Sequence, residues 1–165
     1  MQILIKGGHL IDPANKKNGQ FDLLISKGKI EAVEPEGKIK DIPRAEIIDA
    51  KGAIVTPGFC DMHVHFREPG HEYKETIETG SQSAAAGGFT TVAVMPNTSP
   101  VNDNRSVTEF ILSQAKGTSN INILPIGAIT KGLRGETLSD MGELKEAGCI
   151  GYSDDGRPVS NSEIM

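Results

Sequence analysis

After residue 52 the chain alternates strand-like and helix-like segments without interruption, and that rhythm restricts it to folds built from parallel βαβ units. Residues 53–61 form an apolar run, and 75–86 carry a helical period that stops at Gly87-Gly88. Residues 89–95 (Phe-Thr-Thr-Val-Ala-Val-Met) are a β-branched strand. A second helix is expected from Asn104 or Arg105 to Lys116, with Val107, Phe110 and Ile111 on one face and Gly117 as its stop. Strand 121–126, helix 141–147 stopped by Gly148, and strand 149–152 follow. The fold class is α/β.

Residues 1–52 read differently. Short strands over 2–5, 9–11, 21–26, 29–33 and 46–49 are separated by Asp12-Pro13, Asn18-Gly19, Lys27-Gly28 and Pro35-Glu36-Gly37. Lys27-Gly28 reads as a hairpin. This segment is expected to be part of a small β-sandwich, with His9 a plain strand residue and too few strands for a self-sufficient core. The expected domains are therefore 1–52 and 53–165.

The polar residues with chemical potential collect where strands end. The chain has four histidines in 165 residues, and two of them, His63 and His65, stand at the end of the first α/β strand. Strand side chains alternate faces, so these two imidazoles are expected to point the same way, as a borderline metal such as Zn²⁺ requires. Arg67 continues the parity and would sit just beyond the metal, where its planar fork suits a carboxylate. Asn97 follows the second strand and Asp154-Asp155 the fourth. Singly these read as turn residues. Together they lie at the C-terminal ends of successive strands, where open sheets and barrels place their sites.

Composition narrows the partners. A net charge of −5 and a pI near 5.4 argue against nucleic acid or an anionic membrane. No apolar stretch reaches membrane length, and Met1-Gln2-Ile3-Leu4-Ile5-Lys6 lacks the features of a signal peptide. Cys60 and Cys149 read as buried structural thiols of a cytoplasmic protein. Cys60 has the wrong parity to join the histidines.

Five motifs in order, Asp-Met-His-Val-His-Phe-Arg-Glu-Pro-Gly, Ala-Gly-Gly-Phe-Thr-Thr, Met-Pro-Asn-Thr, Leu-Lys-Glu-Ala-Gly and Ser-Asp-Asp-Gly, resemble dihydroorotase of the amidohydrolase superfamily, in its bacterial type I form. The resemblance implies the first half of a (β/α)₈ TIM-type metallo-hydrolase barrel, holding one or two zinc ions. It implies His63, His65 and Asp155 as metal ligands, with Asp154 the second candidate because strand parity does not separate the two. Hydantoinases, dihydropyrimidinases and some dihydroorotases carry a carboxylated lysine at that point. Arg67 and Asn97 resemble the groups that hold the substrate carboxylate. The implied reaction is the reversible opening of dihydroorotate to N-carbamoyl-L-aspartate in pyrimidine biosynthesis.

A full barrel of this kind needs about 250 residues. The chain is accordingly expected to be a fragment of a longer product, inactive alone, in preference to a half-barrel that survives by association. The remaining histidine ligands and the general base would lie in the other half, so no catalytic acid or base is assigned here. Association into a homo-oligomer or with aspartate transcarbamoylase, a non-catalytic scaffolding role, and a hydantoinase or allantoinase activity stay open.

Overall fold

The amino-terminal strands pair into one mixed sheet in the computed structural model, which describes residues 1–164. β1 (Gln2–Asp12), β2 (Lys17–Ser26), β3 (Lys29–Pro35) and β4 (Glu46–Asp49) lie in the order β3-β2-β1-β4, and β5 (Ile54–Val55) also pairs with β1. The strands expected at 2–5 and 9–11 are one strand with an irregularity between Ile5 and Gly8. Gly7 takes φ 66° there and donates its N–H to Asp22 at 2.9 Å. The same fully buried carboxylate accepts from Gly37 N at 2.7 Å. A buried charge with two N–H donors is thus what fixes the bulge.

Lys27 and Gly28 form the expected hairpin, with φ 51° and 74° between paired Ser26 and Lys29. Positive φ at both central residues is the turn whose twist matches its strands. Asn18-Gly19, by contrast, is no turn. Pairing of β1 with β2 runs on to Asp12 and Lys17, and the chain reverses at 13–16, where the Asp12 carboxylate accepts from Asn15 N at 3.2 Å and Asn15 Nδ2 at 2.7 Å.

The chain divides into compact units between Pro57 and Gly58. The continuous strand expected over 53–61 is two, because Pro57 offers no N–H to a ladder. β5 joins the first sheet, and β6 (Phe59–Val64) starts the second. There follow α1 (Ile77–Ala86), β7 (Phe89–Val94), α2 (Arg105–Thr118), β8 (Asn122–Gly127), a 3₁₀ turn at Lys131–Leu133, α3 (Met141–Ala147) and β9 (Gly151–Tyr152). The four strands lie in sequential order β6-β7-β8-β9, all parallel. This is the strand order of a half-barrel within an α/β fold, preceded in the chain by a β-sandwich portion.

Helix ends follow local chemistry. Thr76 and Thr79 form a reciprocal cap at α1, Asn104 accepts from Val107 N at α2, and Asp140 accepts from Glu143 N at α3, which ends on Gly148 at φ 118°. Phe66, Ile77, Val92, Val94, Val107, Ile111 and Ile123 make one buried cluster. Each such side chain contributes about 1.5–3 kcal/mol by leaving water. Two expectations for α2 fail. Gly117 lies inside the helix, and Phe110 is exposed while Thr108 takes the buried position, donating to Asn102 at 2.7 Å.

Candidate metal centre

β6 is irregular where it meets the candidate ligands. Asp61 pairs with Val92 but Val64 with Val94, so β6 carries one extra residue between them. The Asp61 carboxylate accepts from His63 N at 3.0 Å and holds that bulge. Simple alternation therefore does not extend through the strand end. The His63 and His65 rings nevertheless lie 5.1 Å apart, nearly perpendicular, and both turn Nε2 towards Asp155. The distances are 3.2 Å to Oδ1 and 3.5 Å to Oδ2.

The two adjacent aspartates face opposite ways. Asp154 is buried, and its carboxylate accepts from Thr130 N at 2.9 Å and from the Thr130 hydroxyl. It fastens the loop after β8 to the end of β9. Asp155 is left facing the histidines. Among the described residues, His63, His65 and Asp155 form a set whose donor atoms all lie within 4.8 Å of one another.

Asn97 stands between these groups. Its Nδ2 donates to Asp155 Oδ2 at 3.3 Å, and its Oδ1 lies 2.9 Å from His65 Nδ1. A carboxylate can only accept, so the amide must turn its NH₂ to Asp155 and its carbonyl to His65. His65 Nδ1 then carries the proton, and in the neutral ring Nε2 keeps a free lone pair aimed at Asp155. This is the outer support that metal-binding histidines ordinarily receive. The donor set, two imidazoles and one carboxylate, fits a borderline metal such as zinc.

Arg67 is not drawn into this cluster. The chain has left β6, and Arg67 takes φ 60° in a three-residue turn closed by Glu68 N donating to Phe66 O at 2.7 Å. Strand parity therefore does not reach it. Among the described residues its guanidinium makes no hydrogen bond or ion pair, and it is half-buried two residues beyond His65. Asp61 and Thr130 were not singled out from sequence. Asp61 bonds an N–H two residues on, which a local Asx pattern could have suggested; the Thr130 contact spans 24 residues and leaves no local signal.

Of the cysteines, Cys60 is exposed, contrary to expectation, and Cys149 is buried beside Thr108 Oγ1 at 3.4 Å and Asn102 Nδ2 at 3.8 Å. Burial pushes the Cys149 thiol up, against the hydrogen bonds from Thr108 and Asn102. Neither belongs to the ligand set. Alkylation of this 165-residue chain at pH 8 is expected to label Cys60 and spare Cys149, as peptide mass mapping will show; equal labelling would contradict the packing described.

The chain has counterparts among known proteins. Residues 52–165 match the family described as dihydro-orotase-like. The dihydroorotase of Geobacter metallireducens is 55% identical over 166 residues, and that of Syntrophus aciditrophicus 53% over 166. Each alignment covers 100% of this chain and 38% of the relative, so the chain spans well under half the length of these enzymes. The solved L-hydantoinase (dihydropyrimidinase) of Arthrobacter aurescens superposes with a TM-score of 0.77 at 26% identity, covering 91% of this chain and 32% of that one. No helix among the described residues is long and apolar enough to cross a membrane. On the family match over the whole α/β portion and the likeness to curated relatives along the whole chain, the protein belongs to the dihydro-orotase-like family.

Proposed function

We propose that the complete polypeptide is a zinc-dependent dihydroorotase of pyrimidine biosynthesis, acting in the cytoplasm on dihydroorotate and N-carbamoyl-L-aspartate. The observation that carries this reading is the convergence of His63, His65 and Asp155, with Asn97 bound to two of them. His63, His65 and Asp155 would hold the zinc. When bound there, zinc supplies Lewis acidity towards the ring amide carbonyl and lowers the pKa of water.

The chain's own residues do the rest. Asn97 keeps His65 in the tautomer that leaves Nε2 free, and Asp155 holds the amide in that orientation. The second N–H of Asn97 and the Arg67 fork, which has no partner among the described residues, are donors for the substrate carboxylate. Asp155 in Ser-Asp-Asp-Gly supports the bacterial type I dihydroorotase reading, since the resemblance implies a carboxylated lysine at that point in hydantoinases and in some other dihydroorotases. Two free thiols suit a reducing compartment.

The test supplies dihydroorotate and hydantoin to the zinc-loaded complete polypeptide. Faster hydrolysis of dihydroorotate is expected; a preference for hydantoin would replace the substrate. Arg67→Lys should raise KM for dihydroorotate about 10- to 100-fold, the worth of one lost charge-assisted hydrogen bond of about 1.5–3 kcal/mol. Zinc content should stay constant. If zinc leaves with the substitution, Arg67 supports the metal site and not the substrate.

A further inference from the structure

The Glu68-Pro69-Gly70 segment touches none of the candidate ligands, yet it fixes the loop on which Arg67 sits. Phe66, immediately before Arg67, is buried against α1, where a Cβ on Gly80 would lie 2.5 Å from its ring. The Glu68 carboxylate accepts from Ile77 N at 2.8 Å. Ile77 is the first residue of α1, whose opening N–H groups have no partner within the helix and favour a negative charge.

The other side of the loop is tied to the segment carrying Asn97. Pro69 O accepts from Ser99 N at 2.9 Å. Gly70 has φ 95°, and a Cβ built on it would stand 1.9 Å from Ser99 O, which is backbone and has no rotamer to move. Ser99 is two residues from Asn97. Arg67 itself is held at φ 60°, a conformation that a non-glycine residue keeps only when its surroundings impose it.

We propose that Glu68 and Gly70 are positioning residues that set the separation of Arg67 from Asn97, and so select the reach of the anionic group that the pair accepts. Glu68 sets one end of the spacing through α1, and Gly70 sets the other through the close approach to Ser99. Neither touches substrate. The inference rests on the reading of Arg67 and Asn97 as carboxylate donors. It adds that their spacing is built into the backbone, by a hydrogen-bonded acid on one side and a position without room for a methyl group on the other.

Glu68→Ala, Glu68→Gln and Gly70→Ala are to be compared with Arg67→Lys in the zinc-loaded complete polypeptide, measuring KM and kcat for dihydroorotate, bound zinc and thermal unfolding. Glu68→Ala and Gly70→Ala should raise KM about tenfold, with kcat within about threefold and zinc unchanged, as expected when a ground-state contact is misplaced. Glu68→Gln, whose amide oxygen can still accept from Ile77 N, should keep KM within about threefold of the parent. If Gly70→Ala does not fold, the Glu68 pair decides. An unchanged KM in Glu68→Ala while Arg67→Lys raises it overturns the positioning role, as does a Glu68→Gln as damaged as Glu68→Ala, or a joint loss of zinc and kcat. An unchanged KM in Arg67→Lys itself instead removes the carboxylate reading, so the two failures are told apart.

Discussion

Asp155→Asn in the complete polypeptide is expected to lower kcat/KM about 10³-fold and to leave zinc well below one equivalent. The carboxylate is the only anionic member of the donor set, and His63 and His65 both aim Nε2 at it. An asparagine there keeps the shape but removes the charge that would balance a dication. It can also turn an NH₂ towards the histidines, where only lone pairs are wanted. Metal assistance is worth several kcal/mol of transition-state stabilisation, and each 1.36 kcal/mol is tenfold in rate, which gives the magnitude. Metal analysis after dialysis, with kinetics on the same sample, checks it. Full zinc occupancy with activity within tenfold of the parent would take Asp155 out of the ligand set.

Asp154→Ala should do the reverse, costing about 2–6 kcal/mol of stability. The change removes a carboxylate that is 5% exposed and leaves both the Thr130 N–H and the Thr130 hydroxyl without their acceptor. A buried polar group stranded in this way costs about 1–3 kcal/mol, and two are stranded here. The loop after β8 would be freed, because Thr130 Oγ1 also accepts from Gly135 N at 2.9 Å. Denaturant unfolding of Asp154→Ala and Asp155→Ala side by side gives the comparison. The neighbour facing the histidines should lose metal with little loss of stability, and the buried one stability before metal. Equal destabilisation would mean that the two carboxylates are not divided as their hydrogen bonds indicate.

What could be read from sequence divides along the same line as the forces involved. The ends of α3 were legible because Asp140 and Gly148 act within a few residues of themselves, and Lys27-Gly28 was legible because its turn needs no distant partner. Asn18-Gly19 misled because strand pairing with Ile11 and Leu10 outweighed a good turn sequence. Phe110 misled because Thr108 had a buried partner in Asn102, and periodicity counts apolar residues only. The choice between Asp154 and Asp155 depends on Thr130, and the orientation of Asn97 on a contact 58 residues away. No local pattern records either. The histidines were grouped by a strand argument that the bulge at Asp61 interrupts, and their meeting at Asp155 is a property of the folded sheet.

The amide of Asn97 also gives the cluster a direction. Asp155 can only receive a proton bond, so it dictates which end of the amide it meets, and that end dictates what His65 meets. An asparagine at position 155 would offer a donor as well as an acceptor and free the Asn97 amide to turn over, and the ring of His65 would then carry its hydrogen on the nitrogen now left bare. The one-way hydrogen bonding of a side chain after the fourth strand of the parallel sheet thus reaches a ring at the end of the first, through a residue that belongs to neither.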